Sequence, residues 1–364
     1  MMSQERRLTE PSGRQAELFR NLQSGRVQCT ACARVCQIGE GQVGFCGVRG
    51  VVGGKLYLLV YGKVMAGHID PIEKKPVVHY RPGSKIFSIA TSGCSWACRY
   101  CQNSDISQLR KVEGTDATPE DLVRKAVAYG CEGVAYTYNQ PTIFMEFARD
   151  VGKVARANGL FNIFVSNGYD TPETVGMMDG FLDCVTVDFK GSGEKGFVRK
   201  FIGIPDAEPI FQSLLEVKRR TKVHTEITDL IVPGVGDSIE AADKLCRWVY
   251  DNLGPDMPIH FLRFHPDYKM MDFPWTPIET LEKHLEVGRN AGLRYVYIGN
   301  VPGHPAESTY CPGCNSVLIR RHGYNILGYD LDGKNKCRFC GYATPVVGPL
   351  SGSAGEDRFI PVMS

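Results

Sequence analysis

Strand-like and helix-like segments alternate along the middle of the chain, and this alternation restricts the fold more than any other feature. Apolar strand-like runs fall at 85–90, 133–138, 161–165, 184–189, 223–230, 259–264 and 295–298. Helix-like stretches lie between them at 118–129, 142–158, 172–180, 209–220, 238–252 and 276–290. Thr118, Thr171 and Thr276 each precede a proline, which is typical of a helix start. Because strands that alternate with helices pair in parallel through right-handed crossovers, we predict an α/β fold, a partial (β/α)6 barrel of the TIM type.

Three cysteines follow directly on the first strand-like run. Cys94, Cys98 and Cys101 form a Cys-x3-Cys-x2-Cys pattern after 85–90. Active sites of such barrels lie at the carboxyl ends of the strands, where this loop begins. Iron–sulfur clusters are held by cysteine thiolates, usually four, so three would leave one iron open to a substrate or cofactor. A zinc knuckle and three buried thiols are the alternatives.

Eight more of the fourteen cysteines fall into two groups near the ends of the chain. The groups are Cys29, Cys32, Cys36 and Cys46, and then Cys311, Cys314, Cys337 and Cys340. Cysteines at C-x2-C spacing in a reducing compartment are more often metal ligands than disulfide partners. The second group is close to the structural zinc pattern of a zinc ribbon. The first could hold zinc or a second iron–sulfur cluster, and its polar, glycine-rich surroundings favour zinc.

The composition is that of an ordinary globular protein. The chain has 364 residues, 43% of them hydrophobic and 23% charged, with a net charge of +2. This charge gives no support for a nucleic-acid partner. The first residues lack the apolar region of a secretory signal, and no run approaches the ~20 apolar residues of a membrane span. We expect a cytoplasmic protein with no membrane partner, divided into a Cys-rich segment 1–84, the barrel 85–303, and a zinc-ribbon-like segment with a tail 304–364.

The cysteine triplet, with the aromatic Tyr100 before its last member, resembles the signature of the radical S-adenosylmethionine (SAM) enzymes. In that family the three cysteines hold a [4Fe-4S] cluster, and the amino and carboxylate groups of SAM chelate the fourth iron. An electron from the cluster cleaves SAM to methionine and a 5′-deoxyadenosyl radical. The resemblance implies that Cys94, Cys98 and Cys101 ligate the cluster and that Tyr100 packs near the adenine.

The same resemblance implies SAM contacts at the end of the second strand-like run. Tyr138-Asn139-Gln140-Pro141 stands where the family usually carries a Gly-Gly-Glu-type motif that contacts the methionine amino group. Asn139 and Gln140 are the residues assigned there. Gln140 departs from the family pattern, because a carboxamide accepts a hydrogen bond without the assistance of a charge.

Further SAM contacts are implied at the next two strand ends. Ser166 and Asn167 match the place where the ribose is held. Asp188 and Lys190 resemble the Asp-x-Lys pair of glycyl-radical-enzyme activases, in which the lysine faces the SAM carboxylate and the aspartate lies near a bound cation. A helix-capping pair is the alternative for these two residues.

Charged residues also lie in the sixth strand-like run and in a loop before the first. Strand alternation places Arg263 and His265 on one face and His260 on the other. Because charges in strands are costly unless paired, polar strand ends favour a site, and we expect Arg263 and His265 to complete the pocket. Residues 70–76 are expected to form a loop over the barrel mouth, whose charges could meet an anionic substrate or simply be solvated.

A narrower resemblance rests on several separate motifs that occur in the right order. These are Asp70–Pro76, Tyr100–Asn103, Thr225–Thr228, Arg263–Tyr268 and Tyr297–Gly303, together with both cysteine-rich ends. They resemble the AmmeMemoRadiSam system radical SAM proteins, a branch close to pyruvate formate-lyase activating enzymes, over roughly residues 27–345. The branch is named for a Memo-like and an Ammecr-like protein encoded nearby, which are expected partners. Flavodoxin or ferredoxin is the expected electron donor.

These patterns predict an oxygen-sensitive enzyme that reductively cleaves SAM and acts on an unidentified substrate. One alternative is an activase that installs a glycyl radical on a protein partner. The other is a non-catalytic iron–sulfur or zinc protein of electron transfer or interaction, which predicts no SAM binding.

Overall fold

A nine-stranded sheet forms the centre of the molecule. The computed structural model describes residues 7–354 and 359–363. The strands of this sheet are β1 (Ala66–Pro71), β2 (Lys85–Ala90), β3 (Gly133–Tyr136), β4 (Phe161–Ser166), β5 (Cys184–Lys190), β6 (His224–Ile231), β7 (Ile259–Arg263), β8 (Val296–Gly299) and β9 (Ile360–Met363).

The sheet is parallel over the seven strands that the sequence pattern predicts. Its order is β8-β7-β6-β5-β4-β3-β2-β1-β9, and β2 to β8 pair in parallel. This confirms the predicted α/β class with a central parallel sheet. In register, Tyr136 of β3 lies beside Ile89 of β2 and Phe164 of β4, so the carboxyl ends of neighbouring strands meet at one edge.

Six helices connect the parallel strands; Thr118 and Thr171 cap two of them as the sequence predicts, whereas Thr276 caps none. They are α1 (Pro119–Ala128), α2 (Met145–Ala157), α3 (Pro172–Met178), α4 (Glu208–Arg220), α5 (Ile239–Leu253) and α6 (Ile278–Asn290). The hydroxyl of Thr118 accepts a hydrogen bond from the Asp121 N–H, and the Asp121 carboxylate returns one to the Thr118 N–H. Thr171 caps α3 in the same way through the Thr174 N–H. Short helical turns lie at Ile72–Lys74, Ser104–Ser107, Pro141–Phe144, Gly191–Gly193, Lys195–Phe197, Val198–Ile202 and Pro305–Glu307.

Two antiparallel strands at one edge of the sheet were not expected. β1 pairs with β2, and β9 pairs with β1. Asp70 and Pro71 therefore end a strand, and only residues after them turn over the sheet edge. The expected loop at 70–76 is thus shorter than predicted, because the β1 backbone finds its hydrogen-bond partners in β2.

Both ends of the chain add small antiparallel sheets. Near the amino end these are formed by Arg14–Gln15, Lys55–Leu58 and Arg49–Val52, by Phe19–Asn21, Val27–Cys29 and Gln37–Ile38, and by Lys63–Val64 with Thr115–Asp116. Near the carboxyl end Thr309–Tyr310, Val317–His322 and Asn325–Tyr329 form another. The main core lies between the central sheet and its helices, where Phe147, Phe164 and Phe181 are almost completely buried. None of the described helices is long and apolar enough to cross a membrane.

Candidate active site at the carboxyl edge of the sheet

A cavity of about 500 Å³ opens at the carboxyl ends of the parallel strands. This volume lies in the usual range for small-molecule sites. The cysteine triplet lines it on one side. Residues at or after the ends of β3, β4, β5, β7 and β8 line the rest, among them Asn139, Asn167, Lys190, His265 and Asn300. The parallel sheet brings these residues together because all of its strands end at the same edge.

The loop that carries the triplet is held by backbone hydrogen bonds to a neighbouring turn. The Ala97 N–H donates to the Ile202 carbonyl at 2.9 Å, and the Arg99 N–H donates to Phe201 at 2.8 Å. Gly93 has a φ of +86°, and a Cβ there would collide with the Cys46 carbonyl oxygen. The loop therefore has a backbone shape that only glycine adopts without strain at this position.

The three cysteine side chains face the cavity as free thiols. Burial raises the pKa of Cys94 to about 11 and raises the pKa values of Cys98 and Cys101. Without a metal these groups hold their protons, whereas a metal that they ligate deprotonates them outright. The Ser107 hydroxyl lies 3.1 Å from the Cys101 sulfur.

Tyr100 lies in the aromatic wall of the cavity. Its ring stacks on Phe197 at 6.1 Å and meets the edge of Phe264 at 6.0 Å between ring centroids. The residue is 5% exposed, and its hydroxyl has no hydrogen-bond partner in the described part of the chain. Burying a polar atom without a hydrogen-bond partner costs free energy of folding. A bound molecule that hydrogen-bonds to this hydroxyl would remove that cost.

Asn139 holds the cysteine loop. Its side-chain nitrogen donates to the carbonyls of Thr91 at 2.7 Å and Gly93 at 2.8 Å. The Asn139 side-chain oxygen is buried, and no described residue donates a hydrogen bond to it. This amide thus ties β3 to the cysteine loop through one end and leaves the other end for a bound group.

Gln140 lines the cavity, and both ends of its carboxamide are hydrogen-bonded to protein groups. Its oxygen accepts from the Asn167 N–H at 2.7 Å, and its nitrogen donates to Asp170 and to the Ser166 hydroxyl, both at 2.9 Å. The Gln140 carboxamide thus has protein partners at both ends while the residue lines the cavity, and its contact with a methionine amino group stays a prediction. Asp170 was missed from the sequence, since nothing local marks it as a buried partner.

Ser166 and Asn167 are neighbours in the chain, but only Asn167 lines the cavity. Ser166 donates to Gln140 and accepts from the Gly168 N–H at 3.0 Å, and it does not line the cavity. Asn167 does line it, with a side-chain nitrogen that donates to the Ser95 hydroxyl at 3.1 Å. The structure thus brings Asn167 to the cavity and places Ser166 behind it.

Asp188 and Lys190 form an ion pair at the end of β5, next to the triplet. The Lys190 ammonium lies 3.1 Å from the Asp188 carboxylate, which also accepts a hydrogen bond from the Thr228 hydroxyl. Burial lowers the pKa of Lys190, but the charge of the Asp188 carboxylate outweighs it and raises that pKa overall. A positive charge is therefore kept at this side of the cavity.

The two residues expected to complete the pocket from β7 lie apart. His265 lines the cavity, whereas Arg263 donates to the Thr276 carbonyl at 2.8 Å and packs over the Trp275 ring. The prediction that Arg263 lines the pocket is therefore wrong. Side chains alternate along β7, and those that face the cavity are Leu262 and, just after the strand, Phe264. His260, assigned to the other face, is bonded to Glu226 at 2.8 Å.

A lysine pair that sequence reasoning left undecided lines the cavity opposite the triplet. Lys74 and Lys75 each lie 2.7 Å from an oxygen of Asp70, and the Tyr138 hydroxyl donates to the same carboxylate at 2.7 Å. Lys75 is 3% exposed, and burial lowers its pKa to about 8 despite the nearby Asp70 charge. These residues are not a solvated face. Recognising β1 in the sequence would have shown that the turn carrying these lysines is attached to the edge of the sheet.

Comparison with known proteins agrees with this geometry. A family model of the radical SAM superfamily matches residues 88–249, which include the cysteine triplet and β2 to β6. An uncharacterized protein of Methanocaldococcus jannaschii is 41% identical over 337 residues, which are 92% of this chain and 99% of that protein. Residues 88–249 of this chain form a domain of the radical SAM superfamily.

The solved structures that resemble this chain share much less sequence with it. A domain of pyruvate-formate lyase-activating enzyme from Bacteroides vulgatus is 17% identical, with a TM-score of 0.41 over 46% of this chain and 99% of that chain. SuiB of Streptococcus suis is 10% identical, with a TM-score of 0.46 over 63% of this chain and 52% of that chain. At these values the likeness adds nothing about function.

The cavity residues fit the cofactors that radical SAM enzymes use. Three free thiols face the cavity, which satisfies the thiolate ligands of an iron–sulfur cluster and leaves no fourth cysteine among its lining residues. Two buried polar atoms, the Tyr100 hydroxyl and the Asn139 oxygen, lack partners in the ranges described, and Lys190 supplies a cation. This donor set fits a cluster together with a zwitterionic ligand such as SAM.

The sulfur atoms of the four carboxyl-terminal cysteines lie close enough together to ligate one metal ion. The sulfur atoms of Cys311, Cys314, Cys337 and Cys340 all lie within 4.8 Å of one another. Cys311 and Cys340 are 3.5 Å apart, and Cys314 and Cys337 are 3.7 Å apart, sulfur to sulfur. Asn315 and Gly341, each following the second cysteine of a pair, have positive φ values of 59° and 77°. The four residues can therefore bind one metal ion.

The amino-terminal cysteines also come together, whereas the isolated ones do not. Cys29, Cys32, Cys36 and Cys46 line a single pocket below the triplet loop. Cys131, Cys184 and Cys246 are buried separately, as expected for core residues.

Proposed function

We propose that this protein is an oxygen-sensitive radical SAM enzyme that binds a [4Fe-4S] cluster at Cys94, Cys98 and Cys101 and reductively cleaves SAM. The observation that carries the proposal is the cavity itself. Its lining supports the proposal, because three free cysteines, a half-buried lysine and a tyrosine hydroxyl with no partner among the described residues lie together at the carboxyl edge of a parallel sheet. The substrate on which the enzyme acts is a separate question.

Cys94, Cys98 and Cys101 would hold a cluster, which would supply the electron for reductive cleavage of SAM, and this chemistry belongs to the cofactors. The protein binds and orients. Lys190 offers its ammonium to the SAM carboxylate, while Asp188 fixes its position. Tyr100 offers a ring face and a hydroxyl to the adenosyl group. The buried aromatic wall of Phe197 and Phe264 keeps water from the reacting atoms.

Asn139 acts as a positioning residue in this proposal. Because its amide nitrogen bonds two carbonyls of the cysteine loop, it sets the height of the triplet relative to β3. Asn167 lines the cavity and is proposed for the ribose; its backbone N–H is held by Gln140, which is in turn hydrogen-bonded to Ser166. His265 closes the side toward β7.

We further propose that Cys311, Cys314, Cys337 and Cys340 hold a structural zinc ion. Tetrahedral zinc with Zn–S bonds of about 2.3 Å separates its sulfur ligands by about 3.8 Å. The two measured sulfur pairs, at 3.5 and 3.7 Å, support this. The division into segments 1–84, 85–303 and 304–364, the AmmeMemoRadiSam branch, its Memo-like and Ammecr-like partners, and a flavodoxin or ferredoxin donor are proposals that rest on the sequence resemblance.

The first test is anaerobic SAM cleavage. The protein is reconstituted with iron and sulfide, mixed with SAM and dithionite, and assayed for 5′-deoxyadenosine. We expect product from the unsubstituted protein and a loss of at least about 100-fold in Cys98→Ala, since one cluster ligand is gone. Cys131→Ala removes a buried cysteine that lies outside the cavity and should leave the rate unchanged. Equal product from Cys98→Ala, or no product from a protein that shows the cluster spectrum, would overturn the proposal.

A further inference from the structure

The amino-terminal cysteines do not have the spacing of the carboxyl-terminal ones. Throughout residues 7–354 and 359–363, the only group of three or more ligating atoms within 4.8 Å of one another is the carboxyl-terminal set. The sulfurs of Cys29, Cys32, Cys36 and Cys46 are therefore too widely spread for one tetrahedral zinc ion, which needs sulfurs about 3.8 Å apart. The cysteine triplet, Cys94, Cys98 and Cys101, shares this wider spacing.

The four spread sulfurs nevertheless face one another across a single pocket. All four cysteines line it, and Ile38, Phe45 and Ile143 complete its walls. Cys29, Cys32 and Cys46 are at most 9% exposed, and Cys36 reaches toward the surface. A cubane cluster keeps its four irons apart, so the sulfurs that hold it stand farther from one another than those around a single ion. We propose that these four cysteines hold a second [4Fe-4S] cluster.

The charges around the pocket suit a cluster with four thiolate ligands, which is anionic overall. Arg49 is 1% exposed and donates to the Ile143 carbonyl at 2.7 Å and to Glu146 at 3.0 Å. Arg34 lines the pocket from the other side, with its guanidinium 3.5 Å from the Phe45 ring centroid. Two cations thus face the cysteines, and among the described residues a carboxylate pairs with Arg49 but not with Arg34.

The backbone of the segment 29–36 is strained, as is common around functional sites. Val35, next to Cys36, has a φ of 40°, which is unusual for a β-branched residue. Its N–H donates to the Cys32 carbonyl at 3.0 Å, while the Cys29 N–H donates to the Cys36 carbonyl at 2.9 Å. These bonds curl the segment so that its three cysteines point into the same space.

The second cluster would lie against the loop that carries the first. The Arg34 guanidinium donates to the Ser95 carbonyl, next to Cys94. Arg110 bridges the two loops, since it donates to the Phe45 carbonyl at 3.1 Å and to the Trp96 carbonyl at 3.3 Å. Because all four iron positions are taken by cysteine, this cluster has no open iron for SAM, and its chemistry differs from that at the triplet.

The test measures metals in a variant that lacks the first site. Cys94, Cys98 and Cys101 are all changed to Ala, the protein is reconstituted anaerobically, and iron, sulfide and zinc are determined per chain. We expect half of the iron and sulfide of the unsubstituted protein, the visible absorption of a [4Fe-4S] cluster bleached by dithionite, and one zinc. Adding Cys29→Ala and Cys32→Ala should remove the remaining iron. Cys311→Ala with Cys314→Ala is the matched control, which should lose zinc and keep all iron.

The unsubstituted protein provides a second measurement that does not depend on the folding of a variant. Its Mössbauer spectrum and iron content should correspond to two [4Fe-4S] clusters per chain. One cluster together with two zinc ions per chain would overturn the inference, as would a triplet variant that binds zinc in place of iron. The outcome is independent of SAM cleavage, so this proposal and the proposed function can fail separately.

Discussion

Asp170 shows how one buried side chain couples the floor of the cavity to pH. The Gln140 nitrogen and the Thr142 hydroxyl both donate to its carboxylate at 2.9 Å. Burial raises the pKa of Asp170 to about 6, although these hydrogen bonds oppose the shift. The native state therefore binds a proton on Asp170 more tightly than the unfolded chain, whose aspartates titrate near about 3.9.

This shift predicts a pH-dependent loss of stability. The stabilisation from protonated Asp170 is complete below about pH 4 and is lost as the pH rises through about 6. Asp170→Asn cannot ionise, so its free energy of unfolding should fall by about 1.4 kcal/mol less than that of the unsubstituted protein between about pH 5 and 7.5. Urea unfolding at a series of pH values measures the difference. Asp272→Asn, at an exposed position, should follow the unsubstituted protein, and identical curves for all three would refute the prediction.

At the scale of elements, the first turn of α2 attaches the amino-terminal segment to the sheet. Arg49 and Glu146 form an ion pair whose side chains are each 1% exposed. The Glu146 carboxylate also accepts from the Glu17 N–H at 2.9 Å. One carboxylate thus satisfies a buried cation and a backbone group from two different parts of the amino-terminal segment.

Removing the charge of Glu146 should therefore be costly. Glu146→Gln removes the carboxylate that pairs with the buried Arg49 guanidinium, and breaking such a pair typically costs about 3–5 kcal/mol. We expect a loss of this size in the free energy of unfolding, measured by denaturant titration. Asp243→Asn breaks the exposed pair with Arg247 and should cost no more than about 1 kcal/mol. Equal effects of the two substitutions would mean that the buried pair does not hold the segment.

At the scale of the whole molecule, the cavity is walled by three parts of the chain. Lys75 comes from the segment before β2, the triplet from the sheet, and Tyr324 from the carboxyl-terminal hairpin. A second cavity of about 190 Å³ adjoins the first and is lined in part by Tyr324, Asn300 and Arg321. The carboxyl-terminal segment therefore has to be in place for the cavity to have its shape.

Loss of the proposed zinc should loosen that segment alone. Cys314 and Cys340 are exposed, so changing both to Ser removes two ligands with little loss of packing. Zinc ligation contributes on the order of 10 kcal/mol in small zinc domains, and we expect the variant to lose one zinc per chain and to be cleaved rapidly by protease within 309–346. Iron and sulfide should stay constant. Unchanged zinc together with lower iron would show that these cysteines hold a cluster instead.

Local sequence patterns were sufficient to predict where the parallel strands and the helices that connect them lie in the chain. All seven parallel strands and six helices lie within a few residues of their predicted bounds, because apolar runs, Thr-Pro starts and glycine stops are properties of short segments. β3 ends before the predicted residue 138, where Tyr138 has a φ of 69°. The position of the cysteine triplet at the carboxyl edge follows from the same patterns. β1 was not predicted because His68, Asp70 and Pro71 interrupt its apolar pattern, and β9 was not predicted because its partner β1 is distant in the chain.

The directions and partners of the site residues depend on packing between distant segments. Gln140 is turned to Asp170, and Arg263 is drawn out of the pocket by Thr276, although both stand at strand ends that looked alike. The two terminal cysteine groups also share C-x2-C spacing, which suits zinc and iron–sulfur clusters equally. Only the folded chain sets the distances between their sulfur atoms, because those distances depend on where loops far apart in sequence come to rest.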